Sequence, residues 1–238
     1  MNYPSEYCVE LVSKKKLILI CDIDETLVST FVFPTSLLRR FDSKNLDLFF
    51  KRNNYSALMK MRPGLESFLK EMSELFELHV MSLGSRVYLE MVLKKIDPKG
   101  TFFHNRIISA EDIYKDNKYS KLQELFPDGD NIVLAIDDTS KVWKGYKSLV
   151  SVVPYQIFEN TKLTIKTDPL LNQIASHEHF KSFLYNNGNN IDNDVFLKDL
   201  STTLRMIHKR YFRILMKAEA GSPKLINIKK YPDLKSLI

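Results

Sequence analysis

Short apolar runs separated by helical patterning constrain this chain more than any other feature of its sequence. Leu17–Cys21 is apolar at all five positions and follows the solvated Lys14-Lys15-Lys16. Strict alternation would mark a strand with one wet face; an unbroken run marks one covered on both. Arg62-Pro63-Gly64 predicts a helix start, because proline is tolerated in a first turn. Leu65, Phe68, Leu69, Met72, Leu75 and Phe76 then recur at spacings of three and four, one apolar face. Residues 78–81 read as a second strand, 88–96 as a helix and 106–108 as a short strand. Residues 118–126 read as a helix stopped by the turn signal Pro127-Asp128-Gly129-Asp130. Residues 131–136 are the clearest strand, and 149–153 a fifth. This order predicts an α/β fold: a Rossmann-like parallel sheet covered by helices.

The last third is different. Asn186-Asn187-Gly188-Asn189-Asn190 is a polar break, after which Leu197, Leu200, Leu204, Ile207, Tyr211 and Ile214 predict a long amphipathic helix packed back on the sheet. The expected division is 1–165 for the sheet domain, 166–216 for a helical extension and 217–238 for a loosely ordered basic tail. Of the net charge of +6, residues 205–238 carry nine Lys or Arg against two Asp or Glu, so the rest of the chain is close to neutral. That segment would steer acidic partners. The two cysteines, Cys8 and Cys21, form no disulfide framework and point to a reducing compartment. Neither a spanning segment nor a secretory leader is visible, so no membrane association is expected.

In a parallel sheet, ligands bind beyond the carboxyl ends of the strands. Asp22-Ile23-Asp24-Glu25-Thr26 leaves the first strand, with two carboxylates two residues apart and expected to point the same way. Asp137-Asp138 leaves the strand at 131–136. If the strands are neighbours, these acids meet. Clustered like charges are costly without a cation, and an all-oxygen set suits magnesium, with manganese an alternative.

These residues resemble the haloacid dehalogenase superfamily and, within it, the FCP1-type phosphatases of the RNA polymerase II C-terminal tail. Asp22-Ile23-Asp24-Glu25-Thr26-Leu27-Val28 is similar to the nucleophile motif, and Met61-Arg62-Pro63-Gly64-Leu65 to the Arg-Pro-Gly helix start. The run from His79 through Ser82 to Tyr88 with Ile96-Asp97-Pro98, and Ile136-Asp137-Asp138 with Val142-Trp143, resemble the later motifs. The resemblance implies a haloacid dehalogenase type of sheet with a C-terminal helical extension, in a compact form without a BRCT domain. It implies a hydrolase in which Asp22 attacks phosphorus and Asp24 protonates the leaving serine or threonine oxygen. Magnesium would be held by Asp22, the Asp24 backbone carbonyl and Asp138. Ser82 and a lysine would stabilise the transferred group, and Thr26, Arg62 and Asp137 would bind substrate phosphate. The lysine is expected at Lys121, beside Ser120, rather than Lys118. Thr139 stands where such members usually carry arginine, so that phosphate contact is not implied.

The implied partner is the phosphorylated polymerase tail, with acidic transcription factors as further candidates and no direct nucleic-acid binding. A nuclear location follows only from the resemblance. Two rival readings are a small-molecule phosphatase of the same superfamily and a non-catalytic adaptor that keeps the fold. The first is disfavoured by the short span between Leu27 and Met61, the second by retention of Asp22 and Asp24.

Overall fold

The computed structural model describes residues 3–35, 47–52, 55–156, 193–220 and 233–236. In chain order the elements are α1 (Ser5–Ser13), β1 (Leu17–Cys21), β2 (Val28–Pro34), β3 (Asp47–Arg52), β4 (Tyr55–Met61), α2 (Leu65–Leu75) and β5 (Phe76–Met81). They continue as α3 (Arg86–Ile96), β6 (Ile107–Ile108), α4 (Lys118–Leu125), β7 (Val133–Asp137), β8 (Leu149–Ser151) and α5 (Phe196–Ala220).

Five strands make a parallel sheet in the order β6-β5-β1-β7-β8. As the unbroken apolar run requires, β1 sits at its centre with every residue buried. From β1 the chain first builds outward through β5 and β6, then returns to add β7 and β8 on the other side. The order therefore reverses between β1 and β7, the crevice where such sheets bind ligands. The β1–β7 register pairs Cys21 with Ile136, and the ladder continues with Asp22 N–H donating to Ile136 O at 3.0 Å. Asp22 and Asp137 thus leave adjacent strands side by side.

Helix α2 buries Leu65, Phe68, Leu69 and Met72, the face expected from spacing. Its N-cap is Gly64 at φ 79°, a left-handed conformation that costs glycine nothing. Helix α5 packs on α2, and it buries Leu197, Leu200, Leu204, Ile207, Tyr211 and Leu215. The expected inward residue Ile214 is instead 36% exposed, and Leu215 takes its place. A straight helix drifts about 20° per heptad, so a strict three-four alternation loses phase after four turns.

Three further differences from expectation appear. Helix α1 was not predicted; its mixed sequence buries only Cys8, Leu11 and Val12. Strands β2, β3 and β4 form an antiparallel sheet in the order β2-β4-β3, where no element was expected. Strand β7 begins at Val133, after a 3-10 turn over Asp130–Ile132. The expected boundary at 165–166 lies outside the described residues, and α5 runs on to Ala220, past the expected end at 216. Within the segment expected to be a loose tail, Leu234–Ser236 forms a 3-10 turn with Leu234 buried, while 221–232 and 237–238 lie outside the described residues.

Candidate active site

The turn after β1 is tight. The N–H groups of Leu27 and Val28 both donate to Ile23 O, and Glu25 N–H donates to Val28 O. Glu25 is held at φ 60°, a conformation non-glycine residues seldom adopt, and is pinned by Tyr155 N–H on its carbonyl at 2.7 Å. Such strain persists only where surrounding contacts over-determine it. On this turn the Asp22 and Asp24 carboxylates meet different surroundings.

Asp22 is 6% exposed and accepts from Lys118 Nζ at 2.7 Å; the same ammonium donates to Asp137 Oδ2 at 2.6 Å. Asp137 also accepts from Trp143 Nε1 and Thr139 N–H, both at 2.8 Å. Burial pushes the Asp22 carboxyl up to about 7, with Asp137 adding to the rise and Lys118 opposing it. Burial acts against the Lys118 ammonium, but Asp22 and Asp137 outweigh it and hold its pKa above the usual lysine value. Asp22, Asp137 and Asp138 each bring a carboxylate oxygen within 4.8 Å of the others. Three hard oxygens, two of them buried, fit a magnesium ion that keeps water or phosphate oxygens in its remaining positions. The donors expected from sequence were Asp22, the Asp24 backbone carbonyl and the Asp138 side chain, and Asp137 lies beside the two carboxylates among them. The Asp24 side chain, which was not among those donors, is directed elsewhere.

That side chain accepts from Tyr88 Oη and, at 2.9 Å, from Thr30 Oγ1, both on Oδ1. Burial raises the Asp24 carboxyl, with the two hydroxyls pulling against it. Tyr88 reaches it from α3 across Gly84, where an added Cβ would lie 2.6 Å from the Tyr88 ring. Two acids of one motif are thus tuned differently: one ion-paired, the other held by neutral donors. In known sites such a difference separates a nucleophile from a proton donor.

Ser82 follows β5 at the same end of the sheet, buried, with its hydroxyl oxygen accepting from Gly84 N–H at 3.0 Å. The remaining expectations need correction. Lys121 is not at the cluster: its ammonium sits on Glu124 at 2.8 Å. Lys118 shares the buried face of α4 with Leu122 and Leu125, at i, i+4 and i+7, and that phase is the sequence signal that distinguishes the two lysines. Arg62 is 2% exposed and already engaged. It donates to both oxygens of Asp194 at 3.3 and 3.1 Å and to the carbonyls of Thr26 and Val153 at 3.2 and 3.0 Å, with its guanidinium 4.4 Å from the Phe196 ring centroid. It is a strut between the turn after β1 and the start of α5, with its guanidinium engaged there. The Thr26 hydroxyl is buried without a hydrogen-bond partner among the described residues, and its backbone carbonyl serves Arg62. Sequence reasoning missed Tyr88 and Thr30, and it named Trp143 only as part of a motif, with no hydrogen bond to Asp137.

A parallel sheet with these acids gathered at its β1–β7 switch point is the haloacid dehalogenase arrangement. The chain belongs to the NLI interacting factor-like phosphatase family, whose model matches residues 17–181. Among curated proteins it is similar to the RNA polymerase II C-terminal domain phosphatase of Schizosaccharomyces pombe, 35% identical over 187 residues covering 71% of this chain and 26% of that protein. The corresponding phosphatase of Caenorhabditis elegans is 29% identical over 211 residues, covering 85% of this chain and 29% of that one. The chain thus spans under a third of the length of these relatives. Among solved structures, one described as Fcp1, an essential RNA polymerase II CTD phosphatase, matches with a TM-score of 0.74 at 25% identity, over 98% of this chain and 72% of that one. The fission yeast Fcp1 bound to beryllium fluoride matches with a TM-score of 0.73 at the same identity and coverage.

Proposed function

We propose that this chain is a magnesium-dependent protein serine/threonine phosphatase that works through an aspartyl-phosphate on Asp22 and acts on the phosphorylated C-terminal tail of RNA polymerase II. The observation that carries the reading is the division of labour at the β1 turn. Asp22 is paired with Lys118, while Asp24 is held by Tyr88 and Thr30. Asp22 Oδ attacks phosphorus and the P–O bond to the serine or threonine breaks. Asp24, whose carboxyl burial raises, gives its proton to the leaving oxygen and later takes one from the water that cleaves the aspartyl-phosphate. Lys118 and Ser82 carry the charge of the phosphoryl oxygens. A bound magnesium ion, or manganese in its place, held by Asp22, the Asp24 backbone carbonyl and Asp138 with the Asp137 carboxylate beside them, would offset the clustered negative charge and polarise those oxygens.

The substrate assignment is supported by the relatives' names, and a nuclear location goes with it. The test is phosphate release from a synthetic serine-phosphorylated heptad-repeat peptide, with magnesium and with chelator, for the wild type and Asp22→Ala. Magnesium-dependent release that vanishes in the variant is expected. Turnover by Asp22→Ala would overturn the nucleophile. Hydrolysis of an aryl phosphate but not of the peptide would discard the polymerase tail and keep the chemistry.

A further inference from the structure

Away from the carboxylates, residues of α5 and the edge strand β8 make the described lining of a groove of about 600 Å³. Val150, Met206 and Ile207 give it an apolar lining, and Lys209, Arg210 and Arg213 bring three cations to it. None of the described lining residues is acidic, aromatic or a member of the carboxylate cluster. Residues 205–217 of α5 contain no Asp or Glu. Arg205 is paired with Glu71 at 3.2 Å, but Lys209, Arg210 and Arg213 have no ion pair among the described residues. Lys209 and Arg213 stand four apart on the helix, a like-charge spacing that costs helix stability when nothing neutralises it. Met206, beside them, is 61% exposed.

We propose that this groove docks an acidic amphipathic segment of a partner protein: Asp and Glu flanking one or two large aliphatic side chains. The cations select carboxylates, and their desolvation on binding is offset by pairing. The apolar lining selects aliphatic side chains, and methionine at its edge adapts to their shape. Single-stranded nucleic acid, the other polyanion a basic helix attracts, is held by stacking on aromatic side chains, which the described lining lacks. A groove of this volume holds a few side chains, so a short motif is sufficient. The docking stands apart from the catalytic reading, because its residues touch neither Asp22 nor Asp24.

The probe is a fluorescein-labelled peptide of alternating Glu and Leu, with binding read by anisotropy on the full chain. The paired variant Arg210→Glu/Arg213→Glu should weaken binding by about tenfold or more, because favourable rim charges become repulsive. Met206→Asp should weaken it as well. All three positions are exposed, so thermal melts and aryl-phosphate turnover should stay at wild-type levels. Equal binding of a Glu-Ser peptide would reduce the groove to unspecific charge and overturn the proposal. Tighter binding of an oligonucleotide of equal charge, or no binding of the Glu-Leu peptide, would overturn it too.

Discussion

The charge balance of the site turns on Lys118, whose removal makes the sharpest prediction. Its ammonium lies 2.7 Å from Asp22 Oδ1 and 2.6 Å from Asp137 Oδ2, and the residue is 2% exposed. Lys118→Met keeps most of the volume and deletes the cation, leaving two buried carboxylates face to face. Removing one partner of a buried ion pair costs about 3–5 kcal/mol. The same cation is what holds the Asp22 carboxyl down to about 7 against burial and Asp137, so without it the ionised nucleophile becomes scarcer. Loss of one preorganised donor from a buried site lowers kcat by about 10²–10³-fold, or about 2.7–4 kcal/mol. Lys121 is the internal control. Its pair with the largely exposed Glu124 is worth about 0–1 kcal/mol, and Lys121→Met should keep kcat within about threefold. The assay is steady-state hydrolysis of an aryl phosphate with magnesium across a pH series, on protein whose melt confirms folding. A folded Lys118→Met within about threefold of wild type, or a Lys121→Met that fails in its place, would refute the reasoning.

Asp22 should also register in stability. Its folded pKa of about 7 lies above the ordinary 3.8, so the metal-free protein loses stability as pH rises from about 4 through about 7, by up to about 4 kcal/mol. Asp22→Asn should abolish this loss and melt higher than wild type above pH ~7; an unchanged slope would place the shift elsewhere. Tyr88→Phe removes a hydrogen bond that lowers the Asp24 pKa, so the alkaline limb of kcat/KM should move to higher pH and kcat should fall about tenfold. A lower kcat with an unmoved limb would count against a role through Asp24. Arg62→Met leaves Asp194 without its cation and should cost about 3–5 kcal/mol in denaturant unfolding. A loss of activity at full stability would restore Arg62 as a phosphate ligand.

Much of the sheet was legible because its signals are local. Apolar run length marks β1 and β7, and Asp22, Asp24, Asp137 and Asp138 follow those runs directly. The register of β1 on β7 then brings Asp22 and Asp137 together without further information. Strands β2, β3 and β4 were illegible as a sheet because, among the described residues, they form a sheet of their own and carry no run as apolar as β1. The engagement of Arg62 with Asp194 was illegible because an arginine beside a phosphate motif looks the same whether it meets phosphate or a carboxylate 132 positions away. Ile214 and Leu215 were exchanged because a one-residue difference in phase lies below what a repeating three-four pattern resolves.

By itself, then, the sequence determined a parallel sheet with acids at its carboxyl ends, a property each strand carries in its own few residues. Only the tertiary structure decided which groups those acids meet. Lys118 reaches Asp22 across 96 positions, Tyr88 reaches Asp24 across 64, and Asp194 reaches Arg62 across 132. The choice of Lys118 over Lys121 depends on the phase of α4 against the sheet, and the split between Asp22 and Asp24 on a turn held by Tyr155 and Arg62. The physical reason is reach. Hydrogen bonds and ion pairs act over about 3 Å, so partners far apart in the chain are chosen by how whole elements pack.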